Sequence, residues 1–264
     1  MAEVIVITSG KGGVGKTTST ANIGVGLALA GKRVVLVDTD IGLRNLDVVM
    51  GLENRIVYNL VDVLERRCRI KQALIRDKRF DGLYLLPASQ INDKSDVEPE
   101  QMQWLAEELK REFDYILIDC PAGIEKGFKN AIISADRAII VTTPEVSSVR
   151  DADRVIAILE ASGLHKYHLL VNRVRQKMIN EGSMISVEDV KDILSTGLIG
   201  VVPEDEEVIV STNRGQPLAY TKSTDIGAEY RSIAKRIMGD DIPFIYIHKD
   251  KMINKIKKFF TFSA

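Results

Sequence analysis

The stretch VIVITSGKGGVGKTT, from Val4 to Thr18, constrains this chain more than any other. Val4, Ile5, Val6 and Ile7 form a β-branched apolar run of the kind buried on both faces of a sheet. The run stops at Thr8-Ser9, and from Gly10 to Thr17 the spacing is G-x-x-x-x-G-K-T, that of a phosphate-binding loop. Gly10, Gly12, Gly13 and Gly15 are expected to take conformations closed to other residues and bring backbone N–H groups close to a polyphosphate. A helix opening at Thr17 adds the positive end of its dipole at the same place. Lys16 is then the cation over the β- and γ-phosphates, and the Thr17 hydroxyl is the side chain to ligate Mg²⁺. The expected cradle is Gly10 to Thr18, Val14 and Thr18 included, and the expected ligand is ATP or ADP with Mg²⁺. A glycine-rich turn with a chance Gly-Lys-Thr would lack the strand before it and the helical pattern after it.

At 264 residues, 45% hydrophobic and 28% charged, the chain suits one large α/β domain with a full core. A formal net charge of −1 argues against a nucleic-acid-binding polycation. Cys68 and Cys120 have no metal-ligand spacing and read as ordinary buried thiols in a reducing compartment. His165, His168 and His248 do not cluster as a metal site. The first strand begins at the N-terminus, so no leader peptide is expected. No apolar run approaches the roughly 20 residues needed to span a bilayer, and the body is expected to be soluble.

Further along, Thr17 to Ala30 keeps helical spacing and stops at Gly31. RVVLVD, Arg33 to Asp38, is a second buried strand ending in an acid, with Asp40 just beyond it. Carboxylates past the carboxyl end of a parallel strand sit where an open α/β sheet places its ligand. Asp38 and Asp40 alternate, so both can face the phosphates; a helix cap or a solvated loop acid is the alternative for either one. Tyr58 to Arg67 reads as an amphipathic helix and Leu83 to Leu86 as a strand. A helix starts at Pro99 with Met102, Leu105 and Leu109 on one face. YILID, Tyr115 to Asp119, ends in the acid that a nucleotide site needs for the Mg²⁺ shell, and Gly123 follows as a backbone switch near the γ-phosphate. Ala138 to Thr143, Leu169 to Val171 and Gly200 to Val202 are further strands, and helices follow from Pro144 and around Ile226 to Met238.

The KGGVGKTT form, with Lys11 beside Gly10, resembles the phosphate-binding loop of the MinD/ParA family of ATPases, and DTDIGLRNLD and DCPAG match the family's switch segments. The resemblance runs over essentially the whole chain. It implies a doubly wound, mostly parallel sheet with helices on both faces and the nucleotide at the carboxyl ends of the strands. It gives Lys11, on sequence alone a solvated loop residue, a catalytic reach across a dimer interface to the partner's nucleotide. It gives Asp40 the attacking water, Asp38 and Asp119 the Mg²⁺ shell, and Asn45 a place facing the dimer partner. PEVSSVRDADR, with Asp151, would otherwise be a solvated helix face; in the family it is where copies and partner proteins meet. The resemblance also assigns adenine recognition to Asn172 and Arg173 and to the backbone of Pro203, Glu204 and Asp205. The implied activity is a slow ATPase, activated by dimerisation or a partner, that positions the division septum by delivering the inhibitor MinC, with MinE stimulating turnover. MGLENRIVYNL and LLVNRVR look closer to cyanobacterial or plastid members than to enteric ones.

After the ATPase domain, 1–240, the stretch 241–264 reads as a linker and a terminal helix. Met252, Ile253, Ile256, Phe259 and Phe260 fall on one arc of a helical wheel, with Lys257, Lys258 and other lysines largely outside it. That is the pattern of a helix lying in an anionic membrane surface, the alternative being a terminal helix docked on the core. The expected location is the cytoplasm or plastid stroma, peripheral on the inner face of the membrane when ATP is bound. Two rivals share the loop. A DNA-partition ATPase should carry a basic patch, and a metabolic phosphoryl-transfer or amidoligase-like enzyme should carry a further acid or nucleophile.

Overall fold

A computed structural model describes residues 2–90, 97–124 and 126–244. The strands are β1 (Glu3–Thr8), β2 (Val34–Asp38), β3 (Ile75–Arg76), β4 (Leu83–Leu86), β5 (Tyr115–Asp119), β6 (Arg137–Thr142), β7 (Tyr167–Val174) and β8 (Leu198–Pro203). The helices in the first half are α1 (Lys16–Leu29), α2 (Leu46–Met50), α3 (Leu60–Leu64), α4 (Ile70–Ala73) and α5 (Pro99–Lys110). Those in the second are α6 (Lys126–Ile132), α7 (Val146–Ala161), α8 (Gln176–Asn180), α9 (Val187–Leu194), α10 (Glu206–Asn213) and α11 (Asp225–Ile237).

One sheet carries the order β3-β4-β2-β5-β1-β6-β7-β8, parallel throughout except for β3 against β4. Its strands read as continuous apolar runs because both faces are covered. Val4 and Val6 join a core with α3, α5, α6, α7 and α9, while Ile5 and Ile7 join a second core with α1, α2 and α11. This is the expected doubly wound arrangement, and it brings the ends of β1, β2 and β5 side by side, with Asp38 paired to Asp119 in register.

The expected strands fall within a residue or a few of β1, β2, β4, β5, β6, β7 and β8. The helix expected over Tyr58 to Arg67 is shorter: Asn59 and Asp62 form a capping box, and the chain leaves the helix after Leu64, with Arg66 in the left-handed region at φ 63°. The two-residue β3 is too short to show any periodicity. Cys120 is buried as expected, whereas Cys68 is half-buried. The stretch read as a linker begins packed: Arg236 on α11 donates to the carbonyls of Ile242 and Pro243, each at 2.9 Å. The membrane residues Met252, Ile253, Ile256, Lys257, Lys258, Phe259 and Phe260 lie outside the described residues. Among the described residues no helix is long and apolar enough to cross a membrane.

Candidate functional site

The loop from β1 to α1 turns on two of its four glycines. Gly13 and Gly15 hold φ of 76° and 98°, and Gly15 caps α1. A Cβ on Gly15 would lie 2.3 Å from Nδ2 of Asn172, and one on Gly10 would lie 2.4 Å from the carbonyl oxygen of Asp151. The loop is therefore wedged between β7 on one side and α7 on the other. Gly12 corrects the expectation that all four glycines need a conformation closed to other residues. It is exposed and lies outside the left-handed region, and a Cβ there would meet only the Ala122 Cβ, at an ordinary 3.7 Å. In this structure Gly10 is required by close approach, Gly13 by its φ and Gly15 by both, whereas neither reason holds for Gly12. Gly15→Ala is expected to cost about 1–2 kcal/mol of stability through the left-handed conformation. It should also weaken ADP binding by displacing Asn172; calorimetric titration showing unchanged affinity would contradict this packing.

Lys16 is buried in the first turn of α1, and Thr17 and Thr20 follow it towards the end of β5. Asp119 accepts a hydrogen bond from the Thr20 hydroxyl at 3.0 Å, with the Thr17 hydroxyl and the Lys16 ammonium close enough to act on its charge. Beside it, both carboxylate oxygens of Asp38 are held by its own loop: Oδ1 accepts the Asp40 N–H at 2.9 Å and Oδ2 the Leu46 N–H at 3.2 Å. Asp38 thus anchors the start of α2 as well as facing Asp119. Asp40 is half-buried and close enough to act on both charges.

Positive charge is scarce here. Burial pushes the Asp119 carboxyl up to about 6, with Lys16 and the two threonine hydroxyls pulling the other way. Burial and then the neighbouring Asp119 push Asp38 up to about 8. Two crowded carboxyls beside the Thr17 hydroxyl are a hard-oxygen donor set with a deficit of cation, which fits Mg²⁺. Among the described residues no three His, Cys, Asp or Glu side chains form a metal cage. The unfolded chain titrates its Asp near about 3.9, so the metal-free folded state holds extra protons between about 4 and about 8. More protons in the folded state means that stability falls as pH rises through that window. Thermal melts in EDTA should show this slope reduced in Asp38→Asn; an identical slope in both proteins would contradict it.

Across α1 from the acids, the end of β7 is bulged between Val171 and Val174, and Arg173 sits at φ 56°. The bulge turns Asn172 inward, where Nδ2 donates to the Val14 carbonyl at 2.7 Å. Asn172, Arg173, Pro203, Glu204 and Asp205 all line one cavity of about 470 Å³ that opens onto Gly15 and Thr18. A larger depression of about 1170 Å³ lies beside it, between the start of α7, α8 and α9, but no phosphate-loop residue lines it. Of the two, the smaller cavity is the one continuous with the loop.

Lys11 does not face the phosphate cradle. Its side chain is 44% exposed, and its ammonium pairs with Glu145 at 3.3 Å and lies 3.3 Å from the Ser147 hydroxyl, both at the start of α7. Asn45 is exposed, with no side-chain capping bond to α2. Gly123 holds φ 90° with open space around it. Asp151 is half-buried with Arg154 at 4.0 Å, and its backbone rather than its carboxylate meets the loop. Sequence reading missed Thr20, which lies one turn from Lys16 and so on its face of α1, and it missed Glu145 and Ser147 as partners of Lys11. It also missed Tyr230 of α11, which reaches the cavity and meets the Ser19 hydroxyl at 3.2 Å; no local signal marks it.

A family model described as AAA domain matches residues 2–169. The septum site-determining protein MinD of Bacillus subtilis is 55% identical over 264 residues, 98% of each chain. Among solved structures, the MinC:MinD cell division protein complex of Aquifex aeolicus superposes with a TM-score of 0.86 at 50% identity, covering 92% of this chain and 98% of that one. MinD of Pyrococcus horikoshii complexed with Mg-ADP gives 0.82 at 31% identity, covering 92% and 100%.

Proposed function

This chain belongs to the MinD family of septum site-determining ATPases, and on that premise we propose that it is an ATP-gated dimeric switch that places the division septum from a membrane surface. It hydrolyses ATP, and the cradle from Gly10 to Thr18 with Lys16, Thr17 and Asp119 is where its own residues hold the nucleotide. Mg²⁺, when bound, neutralises phosphate charge. Thr17 and Asp119 would hold it, Asp38 would support its shell, and Asp40 would orient the attacking water.

The observation that carries the dimer reading is Lys11. An exposed ion pair contributes only about 0–1 kcal/mol, so Lys11 leaves Glu145 at little cost when a polyphosphate offers more charge. Around it the nucleotide face exposes Leu43 at 64%, Ile124 at 39% and Val146 at 68%, apolar surface that a second copy would cover. Asn45 and Gly123 belong to the same face. The start of α7, with Asp151, is the proposed meeting place for a MinC-type inhibitor, whose complex with MinD is the solved Aquifex neighbour, and for a MinE-type activator. Slow basal turnover, raised by dimerisation, follows from a lysine that is parked until the partner arrives. The cytoplasmic or stromal location, peripheral on the inner face of the membrane, rests on the tail sequence. Near-neutral charge disfavours the DNA-partition reading.

Light scattering after size exclusion tests the reading. Wild type should be monomeric with ADP and dimeric with ATP. Lys11→Ala should bind nucleotide yet stay monomeric and inactive, and Asp40→Ala should accumulate the ATP dimer with turnover lowered about 10²-fold or more. A Lys11→Ala protein with wild-type ATPase activity would overturn the cross-subunit role.

A further inference from the structure

One side chain outside the nucleotide cavity holds the far ends of both segments that flank it. Arg79, in the turn between β3 and β4, donates through Nε and Nη2 to the two carboxylate oxygens of Asp77, at 3.0 and 2.6 Å. Asp77 is buried, and a bidentate carboxylate fixes the plane of the guanidinium. The rest of the fork faces main-chain carbonyls. Nη1 donates to Gly215 at 2.7 Å, and Nη2 also donates to Met50. Met50 ends α2, and Gly215 closes the turn after α10. The Met50 carbonyl, at the C-terminus of α2, lacks an intrahelical donor and carries the negative end of that helix's dipole, while the Gly215 carbonyl lies in the turn just past α10, so one cation ties the end of α2 to the exit of α10.

The same spot admits no slack. Gly51 and Gly215 lie back to back at φ 63° and 60°, and a Cβ on Gly215 would stand 2.4 Å from the Gly51 Cα. At their other ends the two short helices start at the nucleotide. Leu46 opens α2 on the Asp38 carboxylate, and Asp205 caps α10 by accepting the Glu207 N–H at the rim of the base cavity. We infer that Arg79 is a positioning residue that couples the base-side segment 203–215 to the switch segment 38–51, so that a bound adenine nucleotide stiffens the loop carrying Asp38 and Asp40. This coupling rests on the nucleotide reading of the site. A latch that served stability alone would instead loosen the whole fold when removed, and would leave the response to nucleotide unchanged.

Hydrogen exchange on the full-length protein, with ADP in EDTA so that no metal bridges to the switch, separates these. In wild type ADP should slow exchange in 10–19 and 203–215 and also, by about tenfold, in 44–52. In Arg79→Ala, protection of 10–19 and 203–215 should persist while 44–52 exchanges as without ADP. Arg79→Lys cannot meet two carbonyls and the carboxylate together; it should recover part of the effect, and it carries the same comparison if the alanine variant fails to fold. Equal ADP protection of 44–52 in variant and wild type, or none in wild type, would overturn the coupling. Absence of ADP protection at 10–19 in wild type would instead overturn the nucleotide reading beneath it.

Discussion

Replacing Lys16 by alanine is expected to remove nucleotide binding, and with it all ATP hydrolysis. Lys16 is buried at the start of α1 and is the cation that acts on Asp119, while Lys11 is drawn off to Glu145. Two unit charges about 4 Å apart interact by about 4 kcal/mol at the effective dielectric of a protein surface site. That corresponds to a loss of roughly 10³-fold in affinity for a single lost phosphate contact. The backbone cradle and the helix dipole remain in the variant, yet they face the same phosphates with two crowded carboxyls nearby and no ammonium to offset them. Calorimetric titration with ADP and Mg²⁺ measures this directly, and a thermal melt of the variant without nucleotide checks that the fold survives. A folded Lys16→Ala protein that binds ADP with wild-type affinity would remove the phosphate loop from the account.

Deleting residues 249–264 is expected to abolish liposome binding and leave the ATP-dependent dimer intact. Ile256, Phe259 and Phe260 supply apolar burial while lysines such as Lys257 and Lys258 meet anionic head groups. Each such lysine contributes about 1 kcal/mol near the surface, and the electrostatic part alone is screened by salt. High salt should therefore weaken wild-type binding without erasing it. Phe260→Glu should behave nearly as the deletion does, because it removes apolar burial and sets a negative charge against anionic lipid. A tail-less protein that still sediments with anionic vesicles would place membrane recognition elsewhere.

The sheet was legible because strands buried on both faces write themselves as unbroken apolar runs, and YILID and RVVLVD each end on the acid that the site uses. The phosphate loop was legible for a different reason: Gly15 has no alternative where φ is 98° and Asn172 lies against it. The spacing overstated Gly12, whose ordinary backbone and open surroundings would admit a side chain. The destination of Lys11 was not legible. Its partners Glu145 and Ser147 lie more than 130 residues away and join it only through the packing of Gly10 on α7. Arg79 was hidden in the same way, since a DKR turn next to a two-residue strand gives no hint that it closes α2 and α10. The adenine role of Asn172 was read from resemblance alone, and no spacing in the sequence announces the bulge in β7 that turns its side chain inward to Val14. Tyr58 to Arg67 misled because amphipathic spacing continued past the point where Arg66 turns left-handed.

Sedimentation of the wild-type protein with anionic liposomes, in ATP and in ADP, tests the switch most directly. Joining two weak tails in one dimer raises apparent affinity by about 10²-fold or more without any new contact. The account predicts that the protein pellets with the vesicles in ATP and Mg²⁺, stays in the supernatant in ADP, and returns there as ATP is consumed. Equal sedimentation in ATP and ADP would contradict it.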